Sequence, residues 1–318
     1  APQAMLAQLR TPAKIYTIIT FVQLELSTVY PHLFGVPFPT RAFDSSAFFE
    51  TIGPLVGDMG WFQLYPPRDR EVREDLLQRV QDAGFSTLAV TVDTPAPSRR
   101  ERQTRAGLHM PPRITARFIY EALCNPSWTF HTLRAGLPKL RTLEKYAQSS
   151  DMATTAVFVE QKIGRILSWD YLKEVRDEWQ GPLVAKGIQH PQDAEQAVAI
   201  GVDAIQVSNH GARQFDAAPA AIDLLPPIVE QVGNRANILY DSGIRSGLDI
   251  LRALSLGADF VFLGRAFIYG VAALGKYGGD HAVEILLDDL QNNMIQMGFA
   301  SLTAIADHSQ GLHIDDDT

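Results

Sequence analysis

Disulfide bonds within this chain are excluded by its cysteine content, because Cys124 is the only cysteine among 318 residues. A cytoplasmic location is therefore the expectation. An excess of positive charge is also absent: 28 Lys and Arg residues stand against 36 Asp and Glu residues, which gives a net charge of −8. This balance disfavours a nucleic-acid partner, which normally needs a basic face, but it is compatible with a basic pocket for a small anionic substrate.

Long hydrophobic runs are missing as well. The most apolar early stretch, IYTIITFVQLEL (15–26), is 12 residues long and includes Gln23 and Glu25, so it is too short to cross a bilayer. The first residues, APQAMLAQLRTPAK, lack the basic head, apolar middle and small-residue cleavage site of a secretory signal. The sequence predicts no transmembrane segment.

The composition that is present is that of a compact globular enzyme, with 46% hydrophobic and 20% charged residues. A chain of this length can form one or two domains, and barrels of alternating strands and helices commonly exceed about 250 residues as one domain. We predict a single domain over residues 1–318.

Short apolar runs rich in Val, Ile and Phe recur along the chain, each followed by a turn and a helix-periodic stretch. Such an alternation predicts a parallel sheet that helices cover on both faces. The predicted strands are WFQLY (61–65), TLAVTVD (87–93), PLVAKGI (182–188), AIQVSNH (204–210), NILYDSG (237–243) and FVFLGRA (260–266). One late helix carries an apolar stripe of Val283, Leu286, Leu287, Leu290, Met294 and Met297.

Each predicted strand ends in polar residues of the kind that active sites use. In a closed barrel, the carboxyl ends of the strands converge on one mouth, where the active sites of such barrels lie. We therefore predict an α/β fold, the (β/α)8 TIM barrel. A barrel of this kind has eight strands, so two strands besides the six above must come from the first 60 residues. This is little space for two full strand–helix units, and we therefore predict an abbreviated N-terminal region. The interval from Asp93 to Pro182 predicts an excursion between strands 4 and 5.

Two late motifs have the features of a phosphate cradle. DSGIRSG (241–247) and LGRA (263–266) place glycines, a helix start and the charges of Arg245 and Arg265 at strand ends. Phosphate sites often follow the last two strands of such barrels. The alternative is a pair of ordinary turns with solvated arginines.

The stretch VSNHGARQFD (207–216) places His210 and Arg213 at the end of an apolar strand. His210 is either a hydrogen-bonded structural residue or a base, and Asp93 at another strand end would orient it. Arg213 and Arg100 suit a carboxylate, although Arg100 lies in the charged run SRRERQTR and is equally compatible with a solvated face. Lys186 ends an apolar strand and needs an anionic partner if it is buried.

The motifs FQLY, TVDTP followed by RRE, AKGI, SNHGARQ, DSGIR and LGRA, in this order and spacing, resemble the FMN-dependent α-hydroxy-acid oxidising family. This family includes glycolate oxidase, lactate oxidases, mandelate dehydrogenase and the flavin domain of flavocytochrome b2. The resemblance covers about residues 45 to 300 and implies a (β/α)8 barrel with FMN at the strand ends.

The resemblance also implies a role for each matching residue. His210 would be the base, Asp93 its charge partner, and Arg213 and Arg100 the carboxylate holders, with Tyr65 hydrogen-bonding the substrate. Lys186 would lie by the flavin N1–O2 edge, where positive charge stabilises the reduced ring. The remaining cofactor contacts would be Gln63, Tyr65, Thr91, Ser208, Asp241, Gly243, Arg245, Gly264 and Arg265; no metal site is implied.

The N-terminal part departs from the family pattern. Family members usually carry well over a hundred residues before FQLY, whereas this sequence has 60. Segments 26–40 and 45–55 resemble the approach to the first barrel strand and the helix after the second. The strand-helix-strand unit between them has no counterpart, so we expect that the natural protein has residues here that this sequence lacks. Deleting such a unit would open two edges of a closed barrel.

The excursion, residues 102–169, is predicted to be either an active-site lid or a membrane-contact segment. Its part 106–141 mixes basic and aromatic residues, which suits a membrane surface. A membrane-resting enzyme would pass electrons to quinone, and a soluble oxidase to oxygen. The mixture consists of Arg113, Arg117, Arg134, Lys139 and Arg141 with Phe118, Tyr120, Trp128 and Phe130.

The predicted function is FMN-dependent oxidation of a small 2-hydroxy acid to the 2-oxo acid, by a dehydrogenase or oxidase. A cytoplasmic enzyme, either free or peripheral on the inner face of the membrane, is expected, and by analogy with the family a homo-oligomer such as a tetramer. Two alternatives remain: a flavin-free, catalytically silent barrel that acts as a binding protein, and another phosphate-binding barrel enzyme that uses Lys186, such as an isomerase or aldolase.

Overall fold

The computed structural model of the protein describes residues 61–305, apart from short gaps at 97, 99–100, 102–104, 106–113, 127–128, 131–132, 134–140, 150, 164–166 and 303. The two further strands that we predicted in the first 60 residues, and the missing unit there, lie outside the described residues. So does Arg100.

The described part of the chain contains the predicted parallel sheet. Its six strands pair strictly in chain order, and every pairing is parallel. The strands are β1 (Trp61–Leu64), β2 (Thr87–Thr91), β3 (Leu183–Ile188), β4 (Ala204–Val207), β5 (Asn237–Tyr240) and β6 (Phe260–Val261). Every predicted strand is present, and each is shorter than its predicted range. Thr91 and Lys186 lie within β2 and β3, whereas Ser208 and Asp241 directly follow β4 and β5.

Helices connect the strands, as continuous apolar strands require. They are α1 (Arg70–Asp82), α2 (Ala116–Cys124), α3 (Arg141–Ala147), α4 (Met152–Lys162), α5 (Trp169–Glu178), α6 (Pro191–Ile200), α7 (Ala221–Val232), α8 (Gly247–Ser255), α9 (Arg265–Leu274) and α10 (Gly278–Gln296). A single strand–helix step separates each pair of neighbouring strands except β2 and β3, where α2 to α5 form the predicted excursion.

The core lies between the sheet and this helical layer. Strands β2, β3 and β4 are buried along their whole length, which explains why their sequences are continuous apolar runs rather than alternating ones. On α10, Leu286, Leu290 and Met294 are buried, as the apolar stripe predicted. Met297 is an exception: it follows the last helical residue and is 51% exposed.

Among the described residues, no helix combines the length and the apolar character that crossing a bilayer requires. The exposed apolar side chains of the excursion are instead concentrated on and around the short helix α2, where no residue is buried.

Candidate active site

The strand register places three polar side chains side by side at the carboxyl end of the sheet. Thr91 of β2 is paired with Lys186 of β3, and Lys186 is paired with Gln206 of β4. All three side chains are buried. Because residues at the same level of neighbouring strands point to the same side, this row faces one space at the strand ends.

Lys186 has the anionic partner that its burial requires. Its Nζ lies 3.4 Å from Oδ2 of Asp241, the residue that follows β5. Asp241 also accepts hydrogen bonds from Gln206 Nε2 at 2.6 Å, Ser208 Oγ at 2.5 Å and Ser242 Oγ at 2.7 Å. Burial raises the pKa of Asp241, but the charge of Lys186 and the two hydroxyl hydrogen bonds outweigh it, so the net pKa is lowered. Asp241 is therefore ionised, and its carboxylate connects side chains of β3 and β4 with the residue that follows β4.

His210 and Asp93 form the predicted pair. The imidazole Nδ1 lies 3.2 Å and 3.3 Å from the two carboxylate oxygens of Asp93, and both side chains are buried. Two buried groups at this distance hold each other in one orientation. With Nδ1 facing a carboxylate, Nε2 is the nitrogen left for proton exchange.

Gly187 makes the approach of Asp93 to this position sterically allowed. It lies at a register shift between Lys186 and Ile188, with φ at +106°. A Cβ added there would lie 2.6 Å from Asp93 Cγ. A bulge of this kind next to a site re-aims side chains of its own strand, and Lys186 lies directly before this one.

Three arginines follow β4, β5 and β6, and their charges interact: Arg213, Arg245 and Arg265 are the arginine cluster. Burial lowers the pKa of Arg265, and the positive charges of Arg245 and Arg213 lower it further. Arg265 donates to the carbonyl of Gly211 at 2.8 Å, and the carbonyl of Arg213 accepts from Ser98 at 2.5 Å. Like charges gathered in this way repel each other unless an anion joins them, so the cluster favours a phosphate or carboxylate ligand.

The start of α8 contributes less to an anion site than its motif predicts. The backbone N–H groups of Gly247 and Leu248 already donate to Asp289 of α10, at 2.5 Å and 3.4 Å. The negative charge at this helix N-terminus is therefore supplied by the protein's own Asp289 and not by a ligand. Helix α9, by contrast, begins at Arg265 directly after Gly264, beside the arginine cluster.

Gln63 of β1 and Tyr65, which directly follows β1, also have contacts at the mouth. Gln63 Nε2 donates to Thr91 Oγ1 at 2.7 Å, and the ring of Tyr65 lies with its centroid 6.4 Å from that of His210. Both residues are partly buried. Gly243, at φ +108°, lies in the turn after Asp241 and is exposed.

The structure thus brings most of the predicted site residues that it describes to one mouth, whereas Gly243 and Arg245 are exposed in the turn after β5. Two residues that contribute here, Gly187 and Ser242, had no role assigned from the sequence. Gly187 lies inside the motif AKGI, but its contact with Asp93 depends on a strand pairing. Ser242 is adjacent to Asp241 in the motif DSGIR, and its hydrogen bonds to the loop after β4 span more than 30 positions of the chain.

Comparison with known proteins decides the family. The family model described as FMN-dependent dehydrogenase matches residues 34–311. The chain belongs to this family. The FMN-dependent dehydrogenases bind FMN, so the predicted family, enzyme class and cofactor are confirmed at this level.

Curated relatives are L-lactate dehydrogenases by name. The enzyme from Acinetobacter baylyi is 38% identical over 273 residues, which are 85% of this chain and 71% of the relative. The enzyme from Ectopseudomonas mendocina is 37% identical, over 85% of this chain and 72% of the relative. A Mycobacterium tuberculosis protein, provisionally named as an L-lactate dehydrogenase, is 36% identical over 86% of this chain. The chain spans 64% of the length of that relative.

Solved structures of similar proteins confirm the fold class. The monotopic membrane protein (S)-mandelate dehydrogenase has a TM-score of 0.77 and 31% identity, over 82% of this chain and 69% of that one. A mandelate oxidase has a TM-score of 0.65 and 32% identity, over 83% of this chain and 67% of that one. The parallel sheet described above is the corresponding part of their (β/α)8 barrel.

The residues at the mouth fit FMN. The side-chain oxygens of Gln63 and Gln206 are buried, and neither has a hydrogen-bond partner within the described part of the chain. Buried acceptors in this state need a donor from a ligand or water. The two glutamine oxygens and the Lys186 ammonium suit the polar edge of a flavin ring, and the arginine cluster suits the phosphate at the other end of the cofactor.

Proposed function

We propose that this protein oxidises a small 2-hydroxy acid to the corresponding 2-oxo acid with FMN as the cofactor. The observation that supports this most directly is the buried His210–Asp93 pair, 3.2 Å apart, beside Lys186 and the arginine cluster at one mouth. A base, a carboxylate holder and a cationic flavin partner are the groups that this reaction requires. When bound, FMN accepts the electron pair of the substrate.

His210 acts as the base in this proposal. The Asp93 carboxylate accepts a hydrogen bond from Nδ1–H, which leaves Nε2 to take a proton from the substrate, and the same carboxylate stabilises the imidazolium that results. Arg213 and Arg100 bind the substrate carboxylate through their planar guanidinium forks. Tyr65, whose ring lies near that of His210, donates a hydrogen bond to the substrate hydroxyl or carboxylate.

The remaining mouth residues hold the cofactor. Lys186 would lie at the N1–O2 edge of the flavin and would supply positive charge to the reduced ring. We assign the other cofactor contacts to residues of β1 and β2 and to residues that follow β1, β4, β5 and β6, namely Gln63, Tyr65, Thr91, Ser208, Asp241, Gly243, Arg245, Gly264 and Arg265. Single-domain organisation over residues 1–318 stays a prediction.

Anaerobic mixing of the purified, FMN-loaded protein with lactate, glycolate and mandelate tests the proposal. We expect bleaching of the flavin absorbance band near 450 nm, roughly the usual position for oxidised flavin, with at least one of these acids. Oxygen or a quinone is then admitted, and the acceptor that restores the band is the one that the enzyme uses. A protein that binds FMN but bleaches with none of the acids contradicts the proposal.

An imine-forming enzyme that uses Lys186 is the less favoured alternative. An imine requires a neutral amine, and Lys186 lies 3.4 Å from the ionised carboxylate of Asp241, which favours the ammonium. Borohydride trapping of a carbonyl compound on Lys186 would support this alternative. The silent binding barrel would give a protein without flavin colour.

We also propose that the excursion rests on a membrane surface. The side chains of Ile119, Tyr120 and Leu123 on α2 are exposed by 51%, 68% and 75%. Phe130 and Leu133 beyond the helix are exposed as well. An exposed apolar stripe of this kind suits the interface of a bilayer. Of the predicted basic partners, Arg113, Arg134 and Lys139 lie outside the described residues, and Arg117 pairs with Glu121 at 2.7 Å.

Co-sedimentation with vesicles distinguishes the two interpretations of the excursion, an active-site lid and a membrane-contact segment. We expect the protein to bind vesicles of phosphatidylcholine with phosphatidylglycerol, and the double variant Ile119→Asp, Leu123→Asp to lose most of this binding. Ile295→Asp, which changes an equally exposed residue on α10, is the matched control. Equal sedimentation of the double variant and the control would favour the lid.

A further inference from the structure

The loop after β4 has an unusual backbone. Three consecutive residues are in the left-handed region: His210 at φ +56°, Gly211 at φ +65° and Ala212 at φ +59°. Residues other than glycine disfavour this region by roughly 1–2 kcal/mol each. A backbone of this kind persists only where its surroundings hold it. The orientation of His210 therefore depends on the contacts of residues 209–212.

Two hydrogen bonds come from the loop and the strand before it. Asn209 Oδ1 accepts from the N–H of Ala212 at 3.2 Å, and Ser208 Oγ accepts from the N–H of His210 at 3.1 Å. These bonds are local in the sequence. They shape the turn. The Ser208 hydroxyl also donates to Asp241 Oδ1 at 2.5 Å, and Arg265 donates to the Gly211 carbonyl at 2.8 Å, so the turn is linked to two other strand ends.

Ser242, directly after the next strand, binds the backbone N–H groups on both sides of His210. Its Oγ accepts from the N–H of Gly211 at 3.1 Å and from the N–H of Asn209 at 3.3 Å. A hydroxyl has one proton and two acceptor lone pairs. Since the Ser242 hydroxyl donates its proton to Asp241 Oδ1 at 2.7 Å, both lone pairs remain for the loop.

Ser242 itself has a strained backbone, with φ at +82°. Glycine would adopt this conformation without the cost of a Cβ, and Gly243 beside it also has a positive φ. A serine in such a position is explained if its hydroxyl has a function, because strain at a site is kept where the surrounding structure uses it.

We propose that Ser242 is a positioning residue for His210: its hydroxyl ties the loop of residues 209–212 to Asp241, and through Asp241 to Lys186. The part of the inference that concerns catalysis rests on the proposed function. Ser242 does not itself contact the reacting atoms. It connects the residue at the cofactor edge, Lys186, with the backbone that carries the base.

Amide hydrogen exchange in the full-length protein tests the anchor directly. The variant Ser242→Gly removes the hydroxyl and accepts the positive φ, and Ser242→Ala removes the hydroxyl but keeps the Cβ. We expect both variants to exchange the Asn209 and Gly211 amides about tenfold faster or more than the wild type, with the β5 amides unchanged. Ser255→Ala, which removes a hydroxyl bonded only to the carbonyl of Arg252 among described residues, is the control. Unchanged exchange at Asn209 and Gly211 in Ser242→Gly would overturn the proposal.

Stopped-flow reduction of the flavin tests the catalytic consequence. At saturating FMN, we expect Ser242→Gly to lower the limiting rate of flavin reduction about tenfold or more, to displace the pH profile of kcat/KM, and to change the Kd of FMN less than about threefold. A weaker FMN affinity with a wild-type limiting rate and pH profile would show that Ser242 serves the cofactor only, and would overturn the positioning role. If the wild type itself does not reduce flavin, the proposed function fails, but the exchange experiment still decides the anchor.

Discussion

At the scale of single residues, the candidate site depends on small side chains as much as on reactive ones. Gly187 leaves the space that Asp93 occupies, and Ser98 and Ser242 hold backbone groups of the loop with His210 and Arg213. The reactive groups could be predicted from their residue types. The residues that position them could not, since each acts through a contact between distant parts of the chain.

Gly187→Ala is expected to displace Asp93. The new Cβ would lie 2.6 Å and 2.7 Å from Asp93 Cγ and Cβ, at a φ of +106°. We expect a loss of about 1–3 kcal/mol in the free energy of unfolding and a much slower reduction of the flavin. Gly84→Ala is the matched control, because Gly84 has a similar φ of +87° but nothing lies within 4 Å of its Cβ position. Urea unfolding and stopped-flow absorbance measure the two effects, and equal reduction rates in the two variants would argue against a role for the Asp93 position.

Asp93→Asn tests the orientation of the base. The amide can donate to Nδ1 and so favour the tautomer with the proton on Nε2, which cannot accept a proton from the substrate. We expect the rate constant for flavin reduction to fall roughly 10²-fold or more, with little change in FMN affinity. Asp216→Asn, an exposed carboxylate that follows the same loop, should keep the wild-type rate. A reduction rate for Asp93→Asn within about threefold of the wild type would contradict the assigned role.

At the scale of elements, the strand register and the packing of two helices arrange the mouth. Parallel pairing aligns Thr91, Lys186 and Gln206 across three strands. Behind the arginine cluster, α8 packs so closely on α10 that a Cβ at Gly247 would lie 2.1 Å from the backbone nitrogen of Leu290. Asp289 of α10 then accepts from the first N–H groups of α8.

Asp289→Ala is expected to destabilise the start of α8. The variant leaves the N–H groups of Gly247 and Leu248 without their acceptor and removes a negative charge from a helix N-terminus. We expect a loss of about 1–2 kcal/mol in the free energy of unfolding, measured by urea unfolding. Asp288→Ala is the control, since Asp288 is exposed on the same helix, and it should stay within about 0.5 kcal/mol of the wild type. Equal losses in both variants would contradict the capping role.

At the scale of the whole molecule, partly buried and paired carboxylates make stability depend on pH. The pKa values of Asp75, Asp241 and Asp249 are all lowered, although burial alone would raise each of them, because cations and hydrogen-bond donors surround them. A lowered pKa in the folded state means that the unfolded state takes up protons first as the pH falls. Each group therefore stabilises the fold above its ordinary pKa of 3.8, and this contribution is lost as the pH falls through the lower folded pKa.

Asp241→Asn is expected to weaken this acid dependence. The variant cannot take up a proton at this position, so its free energy of unfolding should decrease less steeply than that of the wild type as the pH falls below the ordinary value of 3.8. Urea unfolding at several pH values from neutral to acid measures both slopes. Identical slopes would mean that Asp241 does not contribute to the acid dependence.

The predicted homo-oligomer stays a prediction at this scale.

The sequence was enough to predict six strands, the excursion after the second of them, the family and most of the residues at the mouth. Strand burial and polar strand ends both leave a local pattern of residue types, so these features can be found without the structure. The exposure of Met297 was not predicted, since periodicity alone does not show where a helix ends. Arg100 and the first 60 residues stay predictions.

Only the tertiary structure decided how the site is held. Three contacts join residues that are far apart in the chain: Ser242 with the loop after β4, Gly187 with Asp93, and Asp289 with the start of α8. The left-handed backbone at His210 is also not visible in the sequence. Such contacts depend on how the strands pair and how the helices pack against them, and the local order of residue types does not carry that information.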